Sequence, residues 1–381
     1  MHLAVLGGGL AGLTAAALAA RTGATVRLYE RAATLGGRAR TTEIGGAKLN
    51  LGPHALYRAS EAMRVLRTLG IVPRGGVPPA AGWLDRAGAL EPLPATPLAL
   101  LAPGPLPLRA RWELARTLGP GAATARGTVE AWLAPLSPAA REVLLAALRV
   151  STYGNAPARQ DAAAAHAQLR CAQRGVIYLD GGWASLVDAL RAALPPSVTV
   201  ETTEAAALPD ADAVIVATHP AHARALGLPV PALTPVRMST LDLVLDRLPS
   251  PRHRFVLGLD APTYLSDHGS VASLGGLVVH AARYLGPEDD PARSRPCVEA
   301  TLDHAQPGWR DHVRHARWVP DLTVTHRLDE PGVTVPVAHT VDGRRVALAG
   351  DWVGERGMLA DRSFASAEAA VAWVTATGSP A

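Results

Sequence analysis

The fold is decided by residues 3–30, which read LAVLGGGLAGLTAAALAARTGATVRLYE. The apolar run Leu3–Leu6 is typical of a short strand buried inside a parallel sheet. Leu10–Arg21 is rich in alanine and predicts a helix, and Thr25–Tyr29 predicts a second strand. The order strand, glycine turn, helix, strand predicts an α/β fold that opens with a Rossmann-like unit.

The turn between this strand and this helix carries the pattern G-x-G-x-x-G, formed by Gly7, Gly9 and Gly12. In such a turn the first glycine allows a tight reversal, the second lets the backbone approach a pyrophosphate, and the third lets helix and strand pack closely. The helix opening with Leu10 and Ala11 then presents unpaired N–H groups to the phosphates. A dinucleotide-binding turn explains this stretch better than a purely structural turn.

An acidic residue and a second glycine pair follow the turn. Glu30 ends the second strand, with Arg31 beside it, about 20 residues further on, where a carboxylate accepts from ribose hydroxyls. Gly36 and Gly37 precede Arg38, whose planar donor fork suits a phosphate group. A nicotinamide dinucleotide site does not need this second pair and its arginine, so the pattern favours FAD over NAD.

The remaining chain alternates between helical and mixed blocks. Residues from Arg109 to Arg174 are mainly helix-forming, a second α/β stretch begins at Val176, and a closing helix is predicted from about Leu359 to Val374. This order predicts an α/β protein with a discontinuous, Rossmann-like FAD-binding domain and an inserted α+β substrate-binding domain. The predicted boundaries are 1–75, 176–235 and 340–381 for the first domain, and 76–175 and 236–339 for the second.

Five short motifs follow one another along the chain: Gly7–Gly12, Glu30, Gly36-Gly37-Arg38, Gly52-Pro53-His54 and Ala349-Gly350-Asp351. Together they resemble the FAD-dependent superfamily that contains flavin amine oxidases, protoporphyrinogen oxidase and phytoene (carotenoid) desaturases. The resemblance covers the whole chain, with its sharpest motifs at the two ends. It implies a FAD domain and a two-part substrate domain, with the isoalloxazine between them.

The resemblance also implies roles for single residues. Glu30 would bind the adenosine ribose, Arg38 and the glycines the pyrophosphate, and Asp351 the ribityl chain or the pyrophosphate. The closing helix near Leu359 would point at the flavin, and adenine would lie against Thr203–Ala206. The predicted cofactor-binding residues are Gly7, Gly9, Leu10, Ala11, Gly12, Glu30, Arg31, Gly36, Gly37, Arg38, Gly52, Pro53, His54, Ala205, Gly350, Asp351, Leu359 and Ala360.

Two departures from the superfamily bear on the chemistry. The strand Val198–Thr202 leads almost directly to the apolar strand Ala213–Ala217, without the usual meander, which bears on FAD affinity. Lys48 is the one lysine in the chain, so the lysine that flavin amine oxidases place beside the flavin is missing unless Lys48 supplies it. The sequence favours a desaturase-like or dehydrogenase-like oxidoreductase that removes hydride from an apolar or secondary-metabolite substrate. The alternatives are an amine oxidase with a non-standard site, and a non-redox isomerase or prenyl-binding carrier on the same fold.

Four side chains are candidates for facing the substrate. His54 and Tyr57 follow the segment that approaches the flavin in the superfamily, and Tyr153 ends the helical block. Arg362 stands in the first turn of the closing helix, where a cation opposes the helix dipole and a substrate carboxylate would explain it. Ordinary packing is the competing interpretation for each residue. No set of histidine, cysteine or carboxylate residues has a convincing spacing for a metal, so no metal is predicted.

Composition limits the class of protein. The 381 residues are 48% hydrophobic and 18% charged, enough apolar surface for a large core. The formal charge of +4 comes from arginines scattered among acids, which argues against nucleic acid as a partner. No apolar run reaches the roughly 20 residues of a membrane span. The Pro-rich stretch Leu93–Leu108 could be a substrate portal, a membrane-touching loop or a plain connection. We expect a cytoplasmic protein with a small, apolar substrate, and the sequence leaves peripheral membrane contact and the oligomeric state open.

Overall fold

The computed structural model describes residues 1–94, 100, 104–119, 122 and 124–376. Much of the stretch Leu93–Leu108, including Pro97 and Pro103, lies outside the described residues, so its predicted role stays a prediction. Among the helices that are described, none is long and apolar enough to cross a bilayer.

The strands and helices have the following bounds. The strands are β1 (His2–Leu6), β2 (Thr25–Glu30), β3 (Thr41–Ile44), β4 (Ala47–Asn50), β5 (Leu56–Tyr57), β6 (Gly75–Gly76), β7 (Trp83–Arg86), β8 (Ala89–Pro92), β9 (Val176–Leu179), β10 (Val198–Thr202), β11 (Ala213–Val216), β12 (Val236–Leu245), β13 (Phe255–Gly258), β14 (Thr263–Asp267), β15 (Leu277–Leu285), β16 (Val313–Thr325), β17 (Ala338–Val341) and β18 (Arg344–Leu348). The helices are α1 (Leu10–Arg21), α2 (Glu61–Thr68), α3 (Leu108–Leu118), α4 (Val129–Leu133), α5 (Pro138–Thr152), α6 (Ala162–Ala172), α7 (Ala184–Ala192), α8 (Pro220–Ala225), α9 (Ser294–Ala305) and α10 (Leu359–Val374).

A six-stranded sheet holds the two chain ends together, in the order β10–β2–β1–β11–β18–β17. Its first five strands are parallel, and β17 is an antiparallel edge. Strand β1 buries Leu3 and Val5 in the cluster that contains α1, α7 and α10, and buries Ala4 and Leu6 in a cluster on the other face. A strand that is apolar on both faces is what a helix-covered parallel sheet requires. The predicted α/β, Rossmann-like fold is therefore confirmed.

A second sheet has seven strands, in the order β16–β12–β15–β14–β13–β7–β8. All its neighbours are antiparallel except β13 and β7. One face packs on α3 to α6 through side chains such as Met238 and Tyr284, and the other packs on α9 through Leu243 and Val279. The strands of this sheet come from two stretches of chain, whereas those of the six-stranded sheet come from three.

Five elements were not expected from the sequence: β5, β6, β16, β17 and α8. Strand β16 is an edge strand whose residues are mostly half-buried or exposed, so its pattern is less apolar than that of a central strand. Its register with β12 shifts near Pro320, which has no N–H to donate to the ladder. Helix α8 has only six residues, too few for a helical period to show.

Candidate dinucleotide and substrate site

The three glycines of the first turn are required for three different reasons. Gly7 has a φ of +101°, and a Cβ there would lie 2.6 Å from the carbonyl oxygen of Ala217. A Cβ on Gly12 would lie 1.7 Å from the carbonyl oxygen of Gly7, so any side chain would push α1 away from β1. At Gly9 a Cβ would meet no atom within 4 Å and would project into open space. Two glycines therefore shape the turn, and the third borders the space in front of it.

Glu30 joins the glycine turn to the end of β2. Its Oε2 accepts from the Gly8 N–H at 2.6 Å, and its Oε1 accepts from the Ala32 N–H at 2.8 Å. The Gly36 N–H donates to the Gly8 carbonyl at 2.8 Å, so the second glycine pair is bound to the same turn. A carboxylate oxygen can accept more than one hydrogen bond, so Glu30 keeps the capacity to accept from a ligand.

A groove of about 1340 Å³ lies at the carboxyl ends of the parallel strands. Open α/β sheets bind their ligands at this edge. Gly12 lies beneath the turn and does not line the groove. The predicted residues that line it are Gly7, Gly9, Leu10, Ala11, Glu30, Arg31, Gly36, Gly37, Arg38, Ala205, Gly350 and Asp351.

The short connection between β10 and β11 still forms a wall of this groove. Thr203, Glu204 and Ala205 line it. The Ala205 carbonyl accepts from Nε2 of His222 at 3.0 Å, which fixes the connection to α8. The groove therefore has a wall at this point although the usual meander is missing.

A second cavity of about 780 Å³ adjoins the groove. Its walls are mostly apolar and include Met238 of β12 and Leu322 of β16. The predicted residues Pro53, His54, Leu359 and Ala360 line this cavity, whereas Gly52 lines neither space. Five residues line both the groove and the cavity: Leu10, Arg38, Ala39, Asp351 and Ser363.

Arg38 and Asp351 contact each other where the two spaces meet. Nη2 of Arg38 lies 2.7 Å from Oδ1 of Asp351, and Nη1 donates to the Val324 carbonyl at 2.7 Å. Oδ2 of Asp351 accepts from the His326 N–H at 2.9 Å. Burial would raise the pKa of Asp351, but the guanidinium of Arg38 and the hydrogen bonds from His326 and Arg38 hold it well below its usual range. The two residues that the sequence assigns to ligand binding thus also form an ion pair between a half-buried arginine and a buried aspartate.

His54, Tyr57 and Tyr153 all line the cavity. Nδ1–H of His54 donates to the Gly52 carbonyl at 3.1 Å, which leaves Nε2 of the neutral ring as an acceptor. Burial lowers the pKa of His54 to about 4. The hydroxyls of Tyr57 and Tyr153 donate to the carbonyls of Ser151 and Pro53, at 2.8 and 3.2 Å. Burial raises the pKa of both phenols, so they stay protonated and hold the wall together.

Arg362 does not face either space, which corrects its predicted position. It is buried, and Nη2 lies 2.8 Å from Oδ1 of Asp329, which also pairs with Arg327 at 2.9 Å. The first turn of α10 points this side chain into the protein, away from a substrate. Arg362 therefore shares the carboxylate of Asp329 with Arg327 and is not placed to bind a substrate carboxylate in either space.

Two further residues of the cavity wall escaped the sequence reasoning. Trp183 lies with its ring 4.9 Å from that of His54, and its indole N–H is buried with no partner among the described residues. Asp361 is buried, accepts from the Ala62 N–H at 3.0 Å, and has its pKa raised to about 6 by burial. Asp361 is two residues beyond Leu359, so its place in the closing helix could have drawn attention to it. Trp183 gave no comparable signal.

Lys48 lines neither space, and its side chain is exposed on β4. The cavity walls, as far as the chain is described, therefore contain no lysine. Across the same described residues, no group of three histidine, cysteine or carboxylate side chains could hold a metal ion.

Comparisons with known proteins agree with this geometry. A family model for an NAD(P)-binding Rossmann-like domain matches residues 5–69. Among solved structures, an oxidoreductase from Methanosarcina mazei is 16% identical, with a TM-score of 0.75 over 97% of this chain and 99% of that one. A protein named as a protoporphyrinogen oxidase from Exiguobacterium is 18% identical, with a TM-score of 0.71 over 97% of both chains. Cyclohexylamine oxidase from Brevibacterium oxydans is 17% identical, with a TM-score of 0.65 over 98% of both chains.

At these identities the likeness shows the fold. It extends over nearly the whole chain, so it covers both sheets as well as the matched N-terminal unit. The resemblance seen in the sequence motifs is thus confirmed at the level of the fold, and the Rossmann-like segment indicates a dinucleotide cofactor. The chain has the same overall fold as cyclohexylamine oxidase and the protein named as a protoporphyrinogen oxidase.

Proposed function

We propose that this protein is a FAD-dependent oxidoreductase that removes hydride from a small apolar molecule. The observation that carries the proposal is the continuity of the groove with the cavity through the five residues that line both. A dinucleotide with its phosphates at the glycine turn would extend its redox-active end toward the apolar cavity. We also propose that the two domains follow the boundaries expected from the sequence.

Several features of the site support a bound dinucleotide. Gly9 is the N-cap residue of α1 and has no side chain to cap the helix, so the first N–H groups of α1 are left for another acceptor. The space in front of Gly9 is open, and a side chain there would fill it. The unpartnered indole N–H of Trp183 is a buried donor in the cavity wall, and a ligand acceptor would satisfy it.

The residues that would hold FAD follow from this arrangement. The glycine turn and the start of α1 would hold the pyrophosphate, and Glu30 a ribose hydroxyl. The strand end at Thr203 to Ala205 would lie beside adenine, and the Arg38–Asp351 pair would lie toward the flavin. When bound, the flavin supplies the hydride-accepting chemistry.

The protein's own contribution in the cavity is positioning and exclusion of water. Met238, Leu322 and Val324 offer an apolar surface, which binds an apolar substrate by burying its surface. Tyr57 and Tyr153 stay protonated, and Asp351 is paired with Arg38, so these groups are poor bases. Neutral His54 offers an acceptor at Nε2. This set favours a desaturase-like or dehydrogenase-like reaction over an amine oxidase that uses a lysine.

The proposal is tested by anaerobic reduction of the FAD-loaded protein. The FAD-loaded protein is mixed in turn with an apolar compound that can be desaturated to an alkene, with a secondary alcohol and with a primary amine. The flavin absorbance near ~450 nm is followed in each mixture. We expect bleaching by an apolar substrate of the first or second class. Rapid bleaching by amines alone would replace this proposal with an amine oxidase, and a protein that takes up no FAD would refute it.

A further inference from the structure

Three imidazoles stand beside the glycine turn and are not explained by the roles given above. His219, His222 and His326 all line the groove. The ring of His219 is 6.0 Å from that of His222 and 6.3 Å from that of His326. Thr218, which precedes His219, adjoins the turn: a Cβ on Gly7 would lie 3.1 Å from its Cγ2.

Hydrogen bonds occupy two of these rings. Nε2–H of His222 donates to the Ala205 carbonyl at 3.0 Å, and Nδ1 lies 3.1 Å from the Thr218 hydroxyl. Nδ1 of His326 lies 3.3 Å from Oδ1 of Asp351. Both side chains therefore have structural partners that hold the walls of the groove.

His219 is arranged differently. Its Nδ1 accepts from the backbone N–H of His222 at 3.2 Å, because an N–H can only donate. In the neutral ring the proton must then be on Nε2, which becomes a donor. No acceptor among the described residues bonds to that Nε2. Burial is the main reason that the pKa of His219 is lowered, followed by the nearby His326 and Arg31, so the ring stays a neutral donor near pH 7.

Two of the arginines that line the groove are already paired with acids. Arg38 is paired with Asp351 at 2.7 Å, and Arg31 lies 3.7 Å from Glu204. Besides Arg40, which also lines the groove, a phosphate at the glycine turn has the uncapped start of α1 and the Nε2–H of His219 as donors.

We propose that His219 binds the dinucleotide through a hydrogen bond from Nε2–H to a pyrophosphate oxygen. The inference rests on the proposed dinucleotide function and assigns a further binding residue to it. His219 would act on the phosphates and would not contact the flavin ring, so its effect depends on whether the ligand carries phosphate.

The test compares His219→Asn with His219→Asp. Both replacements keep a side-chain oxygen that can accept from the His222 N–H. Asn is neutral and retains amide donors, whereas Asp is negative and has none. Dissociation constants of the apo-protein for FAD, ADP and riboflavin are measured by fluorescence titration. The pair His339→Asn and His339→Asp, on β17 outside the groove, controls for general effects of charge.

We expect His219→Asn to weaken FAD and ADP binding about tenfold, the effect of losing a hydrogen bond to a charged group. His219→Asp should weaken both by about a further tenfold, because a carboxylate repels the phosphates. Riboflavin, which has no phosphate, should bind each variant as it binds the wild type.

Two outcomes overturn the inference. FAD and ADP affinities within twofold of the wild type in both variants would remove His219 from the phosphate site. An equal loss for riboflavin would show a structural effect without phosphate contact. If the wild-type protein binds neither FAD nor ADP, the proposed function itself fails, which is a different result.

Discussion

At the scale of single residues, the site depends on side chains that are small or neutral. Gly9 faces open space, so a side chain at this position would occupy the groove and would not disturb the turn. His54 lies in the cavity wall with its proton held on Nδ1. Both residues give direct predictions.

Replacement of Gly9 by leucine should abolish dinucleotide binding without unfolding the protein. The new side chain would project into the groove, where it meets no protein atom within 4 Å at its Cβ and would occupy the ligand's place. Flavin content after purification and FAD titration measure the effect. Gly104→Leu, at an exposed turn, is the matched control. Normal flavin content in Gly9→Leu would place the pyrophosphate elsewhere.

Replacement of His54 by glutamine should reduce acid destabilisation. The pKa of His54 is lowered to about 4 by burial, below the ordinary value of about 6.5, so the unfolded chain binds the proton more tightly. Stability is therefore lost as the pH falls from about 6.5 through 4, by roughly 2–3 kcal/mol for a shift of this size. Urea unfolding from pH 7.5 to 4 should show a smaller loss in His54→Gln than in the wild type. His339→Gln is the control, and identical profiles for wild type and His54→Gln would contradict the buried, neutral ring.

At the scale of elements, α10 closes the cavity and also joins the two ends of the chain. Its side chains pack on α1 and α2. Asp361 in its first turn accepts from the Ala62 N–H near the start of α2. This contact holds the carboxyl group of Asp361 in a buried position. Burial of the charged form lowers the free energy of unfolding, by an amount that depends on pH.

Asp361→Asn should stabilise the protein above pH 6. Burial raises the pKa of Asp361 to about 6, so the folded state binds the proton more tightly than the unfolded state, and stability falls as the pH rises from about 4 to 6. At pH 7.5 the variant should be more stable by roughly 1–3 kcal/mol, and near pH 4 the difference should vanish. Denaturant titrations at both pH values measure it, with exposed Asp188→Asn as the control. The stability of Asp361→Asn relative to the wild type should be higher at pH 7.5 than at pH 4. A relative stability that is lower at pH 7.5 than at pH 4 would contradict a raised pKa of Asp361.

Elements with a strong local pattern could be predicted from sequence. Helix α10 begins and ends where the sequence indicated, because its alanine-rich apolar run is long. Strand β16 could not be predicted, since an edge strand with a register shift at Pro320 has no clean alternation. The turn from Gly7 to Gly12 could be predicted because its function depends on the local spacing of its glycines. The Arg38–Asp351 pair, the Trp183 donor and the buried position of Arg362 depend on contacts between distant segments, which spacing does not reveal.

At the scale of the whole molecule, the groove and the cavity lie between parts of the chain that are far apart in sequence. Arg38 meets Val324 and Asp351 at the junction although hundreds of residues separate it from both. A ligand that binds there contacts several segments at once and only in the folded state. Binding should therefore stabilise the entire protein by mass action.

FAD in excess should raise the melting temperature of the apo-protein. At a ligand concentration of about 100 times the dissociation constant, the expected stabilisation is about 2.7 kcal/mol. Differential scanning calorimetry with FAD, and with riboflavin as the phosphate-free control, measures it. An unchanged melting temperature at saturating FAD would show that FAD does not bind the folded state.

The identity of the bound dinucleotide shows whether the groove holds FAD. The protein is purified, its cofactor is released by heat and identified by chromatography, and the apo-protein is then offered FAD and NADP⁺ in parallel titrations. The account predicts about one FAD per chain and a flavin spectrum that returns when FAD is added back. Tight NADP⁺ binding with no flavin, before or after incubation with FAD, would contradict the account.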